Sequence, residues 1–360
     1  MPFKGKILLC EDGTRGHRPT ILRYVCLALE RYGVAYEITC ASQETPGAVY
    51  LIARKLNCTG VHFLTVDGAI RKWMLNWVPR TIRLPAVGTY YLFSNVYNFY
   101  KGLGLKFACL FSGVDALLVS DEFMKKQEGL SASPCLEFLP DPWLKTEFPE
   151  RSQEESRALL GLDSQMRVFL MFGELSSRKG FDIFLEAINS PEFPAHFMAV
   201  CAGRIDKNII ARYGEIITDL IRRGRLKCYD RFIEESEISD FFYAADYVVC
   251  PYPKYFMVSS NTSTRALASG RPYITFSHGV IAETVRRLSC GYIVNGQANG
   301  LSLKNALVQI ANKDLDQEYE AMAVAGKLVA SSREFSVYAE NLISSYVKHG
   351  LILDQSFDCI

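Results

Sequence analysis

Residues 167–188 read RVFLMF-GELSSRKG-FDIFLEAI. Arg167–Phe172 is a short apolar run of strand length, a polar turn bounded by glycines follows, and a helix begins near Phe181. Strand, tight loop and helix make up the repeating unit of parallel sheets, and the unit recurs on both sides. Downstream, strands are expected at Phe197–Cys201, Arg225–Tyr229, Tyr247–Pro251, Tyr273–Phe276 and Tyr292–Val294. Upstream they are expected at Lys6–Glu11, Ala35–Cys40, Val61–Asp67, Pro85–Tyr91, Ala116–Ser120 and Leu136–Leu139. Helical stretches separate most of them, the clearest being Pro19–Tyr32, where Pro19 suits a first helical turn. Between the two series lies Pro140–Ser164, whose Pro, Glu and Ser content reads as a linker.

The pattern predicts an α/β chain of two Rossmann-like domains facing each other across a cleft. The expected boundaries are 1–143, 144–330 and a helical tail, 331–360, that packs back on the N-terminal domain. The last long segment, Phe335–His349, places Val337, Leu342, Ile343 and Tyr346 at helical spacing. Ligands of open parallel sheets sit beyond the carboxyl ends of the strands, so the cleft is the expected site.

Length agrees, because 360 residues are long for one core. Hydrophobic residues at 49% and charged residues at 22% are a soluble globular balance. A net charge of +1 creates no global field for nucleic acid, and membrane contact is expected to be peripheral at most. Phosphate binding must then come from local clusters. The 11 cysteines are scattered singly without metal-ligand spacing, which suits a cytoplasmic protein with no metal and no cofactor. The opening MPFKGKILLCEDG is too short an apolar run for a signal peptide. The most apolar region, Tyr90–Ser120, is interrupted by Lys101, Lys106 and Asp115.

Four strand-to-helix turns carry chemistry. Glu11–Pro19 contains Gly13, Gly16, His17 and Arg18; its helix start can face an anion or a sugar hydroxyl, or it is only a tight turn. In Phe172–Gly180 the adjacent Arg178 and Lys179 suit a diphosphate whose charge grows as its bond to a sugar breaks. The alternative is an ordinary solvated pair. Ser259, Ser260 and Asn261 open the polar run Ser259–Thr264, placed between a strand and the helix Arg265–Ser269; simple N-capping would need only one of these residues. In Ser277–Glu283, Gly279 allows close backbone approach, while His278 and Glu283 reach polar partners, cap the helix or face water.

The last three turns, in this order, resemble those of retaining family-4 glycosyltransferases of the GT-B fold. Lys179-Gly180-Phe181-Asp182 resembles the family's phosphate-binding turn, and Ala266–Pro272 its helix-to-strand signature. His278–Glu283 resembles its Gly-Ile-Pro-Glu loop, and Ala244–Pro251 the strand before the donor loop. The first half is similar only in Gly16, the strand order and the exit Leu139–Pro142. Where the family carries two glutamates around the donor loop, this chain has Met257 and Arg265, and Glu174 stands where an arginine is common.

The resemblance implies sugar transfer with retention from a nucleotide-diphosphate sugar, a substrate rather than a cofactor, to a glycan, lipid or small-molecule acceptor. Arg178 and Lys179 would meet the diphosphate, Arg231, Phe232 and Ile233 the base, and Arg265 a phosphate or hydroxyl. Asp67, at the end of a first-half strand, is the candidate for a sugar or acceptor contact. The rivals are a noncatalytic nucleotide-sugar or partner-binding subunit of the same fold, and a sugar-nucleotide epimerase.

Overall fold

The structure, a computed structural model, describes residues 3–13, 18–91, 99–121, 135–312 and 317–355. The chain opens with β1 (Phe3–Lys4), β2 (Lys6–Cys10), α1 (Arg18–Arg31), β3 (Ala35–Thr39), α2 (Pro46–Lys55) and β4 (Gly60–Phe63). It continues through α3 (Ile70–Trp73), β5 (Ala86–Thr89), α4 (Phe99–Ser112), β6 (Ala116–Val119) and β7 (Cys135–Phe138). These strands form a parallel sheet in the order β3-β2-β4-β5-β6-β7. β4, β5 and β6 are buried at every residue, so they show no alternation with exposed polar positions, and their polar members His62 and Thr89 bond to each other.

The second series comprises α5 (Gln153–Leu159), β8 (Arg167–Phe172), α6 (Phe181–Ile188), β9 (Phe197–Ala202), α7 (Lys207–Arg222), β10 (Leu226–Tyr229) and α8 (Glu235–Ala244). It is completed by β11 (Tyr247–Cys250), α9 (Asn261–Ala268), β12 (Tyr273–Phe276), α10 (Gly279–Leu288), β13 (Gly291–Val294), α11 (Gly300–Ala311) and α12 (Gln317–Ser331). Its parallel order is β10-β9-β8-β11-β12-β13. Alternate residues of β8 feed opposite faces. Phe169 and Met171 enter one apolar cluster, Val168 and Leu170 the other.

Two further elements, α13 (Phe335–Lys348) and β14 (Leu353–Asp354), return to the first sheet's side. α13 packs on α1, and β14 pairs antiparallel with β1. The chain therefore divides into unit 1, Met1–Pro142 with Phe335–Ile360, and unit 2, Trp143–Glu334.

Two expectations need correction. Pro140–Ser164 is not a plain linker, because it contains α5. Ser152 caps that helix by accepting from the Glu155 N–H at 3.1 Å, and the Glu155 carboxylate returns to the Ser152 N–H at 3.2 Å. Arg157 then anchors α5, with its Nη2 2.7 Å from Asp246 and both side chains buried. The second correction is that Asn261–Thr264 are helical, since α9 begins at Asn261 with Ser260 as N-cap residue.

Candidate functional site

In unit 2 the strand order reverses direction between β8 and β11, the point at which open parallel sheets leave a crevice at their carboxyl ends. The loops after β8 and β11 meet there. Gly180 takes the left-handed conformation at φ 75°, and a Cβ on it would lie 1.9 Å from the Pro251 carbonyl oxygen. Only glycine lets the Lys179 turn press this closely on the end of β11.

The Lys179 ammonium lies 4.6 Å from the Tyr252 ring centroid and 4.8 Å from that of Phe256. It also stands 3.3 Å from Ser260 Oγ and 3.4 Å from Tyr252 Oη. Those two hydroxyls are hydrogen-bonded to each other at 2.8 Å. Burial holds the Tyr252 phenol well above its ordinary pKa, so it stays a neutral hydroxyl. The cation thus rests on two aromatic faces beside the start of α9, where the first backbone N–H groups of a helix point outward. A positive side chain and a positive helix end converge there, an arrangement suited to an anion.

The other candidates in unit 2 divide by what already engages them. Ser260 belongs to the Lys179 cluster, Asn261 is exposed on the first turn of α9, and Ser259 precedes them. Gly279 has φ 77° and packs against the Phe256–Met257 backbone, with the Val280 N–H donating to the Met257 carbonyl at 3.1 Å. The His278 ring donates through Nε2 to the Pro253 carbonyl at 3.0 Å, and Phe276 stacks on it at 8°. Both residues therefore brace the loop that supplies Tyr252 and Phe256. Arg178 pairs with Glu174 at 2.8 Å, more than half exposed.

Arg231 forms a two-point bond with Glu237, at 2.7 and 2.6 Å. Phe232 is exposed, whereas the Ile233 side chain is buried in the core and leaves only its backbone for a ligand. Arg265 lies 3.0 Å from Glu235 on the first turn of α8. Glu283 sits in the second turn of α10, where Arg287 and Arg286 bind it and hold its carboxyl below the ordinary range.

Unit 1 has its own reversal, between β2 and β4. Buried Glu11 fills it, accepting from the Gly13 N–H at 3.0 Å, Arg18 Nη1 at 2.8 Å and Thr65 Oγ1 at 2.5 Å. Arg18 also reaches Asp12, and Gln43 bonds to both acids. Asp67 lies half-buried in the turn after β4. Gly16 and His17 lie outside the described residues.

Sequence reasoning missed Tyr252 and Phe256, which lie outside the four turns singled out and are brought against Lys179 only by the fold. It also found no metal-ligand spacing. Folding nonetheless brings Cys135, Glu137 and His349 within 4.8 Å of one another at β7 and the end of α13. There Glu137 is already bonded by Lys348 and His349. Burial would raise its carboxyl, but the hydrogen bonds from these partners hold it at about 2. Among the described residues no helix is long and apolar enough to cross a membrane.

Residues 166–313 match the family described as Glycosyl transferases group 1. Over 96% of its length the chain is similar to HepE of Anabaena in complex with UDP, covering 100% of that chain at 14% identity and a TM-score of 0.71. Sucrose-phosphate synthase of Thermosynechococcus elongatus is similar over 96% of this chain and 99% of its own, at 14% identity and a TM-score of 0.72. A glycosyltransferase of Rickettsia africae matches 96% of this chain and 98% of its own, at 14% identity and a TM-score of 0.69. These likenesses establish the fold as GT-B. No curated protein matches the chain.

Proposed function

We propose that the protein is a glycosyltransferase that moves a sugar from a nucleoside-diphosphate donor to an acceptor, with retention and without a divalent metal. The observation that carries this reading is the Lys179 ammonium, fixed over Tyr252 and Phe256 at the start of α9. As the bond between sugar and phosphate breaks, negative charge grows on the departing oxygen. A cation and helix N–H groups already in place stabilise that charge without reorganising, and the aromatic wall keeps the ammonium from relaxing into water. The family match over unit 2 supports the reading, as does the UDP bound by HepE of Anabaena. The departing phosphate oxygen takes the acceptor proton in this scheme, and the protein contributes charge and position.

A second reading, a noncatalytic nucleotide-sugar-binding subunit, is favoured by one observation. Arg265 stands where the resembled family has a glutamate, and Glu235 engages it. Screening nucleotide-sugars for hydrolysis, transfer and thermal stabilisation separates the two. Turnover that depends on Lys179 supports the enzyme, whereas stabilisation without turnover supports the subunit. Neither effect with any donor would sink both.

A further inference from the structure

From Gly68 to Val114 the chain carries Arg71, Lys72, Arg80, Arg83, Lys101 and Lys106 and no aspartate or glutamate, although the whole protein balances at +1. α4 lies in this stretch. Its inner face packs Leu105, Ala108 and Cys109 into the core of unit 1. A helix with one buried face ordinarily turns charge toward water on the other. Here the exposed face carries Lys106 together with Tyr100, Phe107 and Leu110, the last three 82%, 45% and 57% exposed. Gly104, one turn from Tyr100, faces open space.

The apolar surface continues onto the segment after α3. The Phe111 carbonyl accepts from the Val78 N–H at 2.9 Å and from Arg83 at 3.3 Å, and the Phe111 ring lies 6.4 Å from Phe107. That segment adds Leu75 at 85% and Trp77 at 63% exposure. Lys106, Leu110 and Arg83 line one shallow groove, so cations and apolar groups share the surface. Of the bordering acids, Glu44 pairs with Lys72 at 2.5 Å and accepts from Asn76 through its carbonyl, while Asp115 lines the same groove as Lys106 and Arg83.

We propose that this face of unit 1 docks on an anionic lipid bilayer. Leu75, Trp77, Tyr100, Phe107 and Leu110 enter the headgroup boundary, while Arg71, Arg80 and Lys106 meet the lipid phosphates. Trp and Tyr favour that boundary because each joins an apolar ring to a polar edge. Basic residues near the surface add attraction that fades with salt. A second copy of the chain would instead bring the same cations face to face, an arrangement that like charge opposes.

Sedimentation of the full chain with phosphatidylcholine vesicles, with and without phosphatidylglycerol, tests the proposal. The chain should pellet with the anionic vesicles and release as salt rises. Binding should fall about tenfold or more in a Leu75→Ser, Trp77→Ser double variant and about fivefold in Lys106→Glu. These side chains are exposed, and circular dichroism confirms that the variants fold. No binding, equal binding to neutral and anionic vesicles, or unchanged variants would overturn it. So would light scattering that showed the wild type dimeric and the double variant monomeric. The assay uses neither donor nor acceptor, so its outcome is independent of the proposed reaction.

Discussion

Lys179 and Arg265 are both cations near the carboxyl edge of one sheet, and their surroundings separate their roles. Lys179 sits against two hydroxyls and two aromatic faces beside the start of α9, where an arriving anion would meet helix N–H groups as well. Lys179→Ala should lower turnover about 30- to 1000-fold, corresponding to roughly 2–4 kcal/mol of lost charge stabilisation. Initial rates beside an unchanged thermal transition check this, and near-normal turnover would remove the residue from the site. Arg265 meets a carboxylate instead. Glu235 is half exposed, so the pair is worth about 1 kcal/mol or less. Arg265→Ala should therefore leave nucleoside-diphosphate affinity within about twofold and lower stability slightly. Calorimetric titration with nucleoside mono- and diphosphates decides it; a loss that grows with the distal phosphate would return Arg265 to the ligand. The sequence showed Lys179 and Ser260 because each lies at a helix start. It hid Glu235, which only the fold brings to Arg265.

Strands and helices were more legible than side-chain partners. Runs such as Arg167–Phe172 and Tyr273–Phe276 coincide with β8 and β12, because strands covered on both faces are written as unbroken apolar segments. The linker misled for a physical reason. Its Pro and Ser content suggested a loose chain, yet Ser152-Gln-Glu-Glu155 is a capping box that starts α5. What holds α5 is Arg157, whose Nε donates to the Ala244 carbonyl at 3.0 Å while Asp246 also accepts from the Val168 N–H at 2.6 Å. Arg157→Ala should destabilise unit 2 by about 3–5 kcal/mol, because it strands a buried carboxylate. Urea unfolding of both proteins measures it. A change under about 1 kcal/mol would show that water reaches Asp246.

Across the whole molecule, His62 joins the two separated parts of unit 1. Its Nδ1 lies 2.6 Å from Tyr346 Oη on α13 and its Nε2 2.7 Å from Thr89 Oγ1 on β5. Burial lowers the imidazole pKa from 6.5 to about 3. Below about pH 6.5 the unfolded chain takes up a proton that the folded one refuses until about pH 3. This contribution is therefore complete above pH 6.5 and drains away below it by about 1.4 kcal/mol per pH unit. Urea midpoints from pH 7 to pH 5 should fall more steeply in wild type than in His62→Gln; parallel slopes would reject the assignment. The same bond bears on vectorial synthesis. Unit 2 is an insertion between β7 and α13, so a ribosome makes all of it before Tyr346 exists to meet His62. The portion made first is then finished last, after the domain that follows it has had time to fold. A chain ending at Glu334 should keep the calorimetric transition of unit 2 and lose that of unit 1. If both survive, α13 is no keystone and the nascent N-terminal half matures as it emerges.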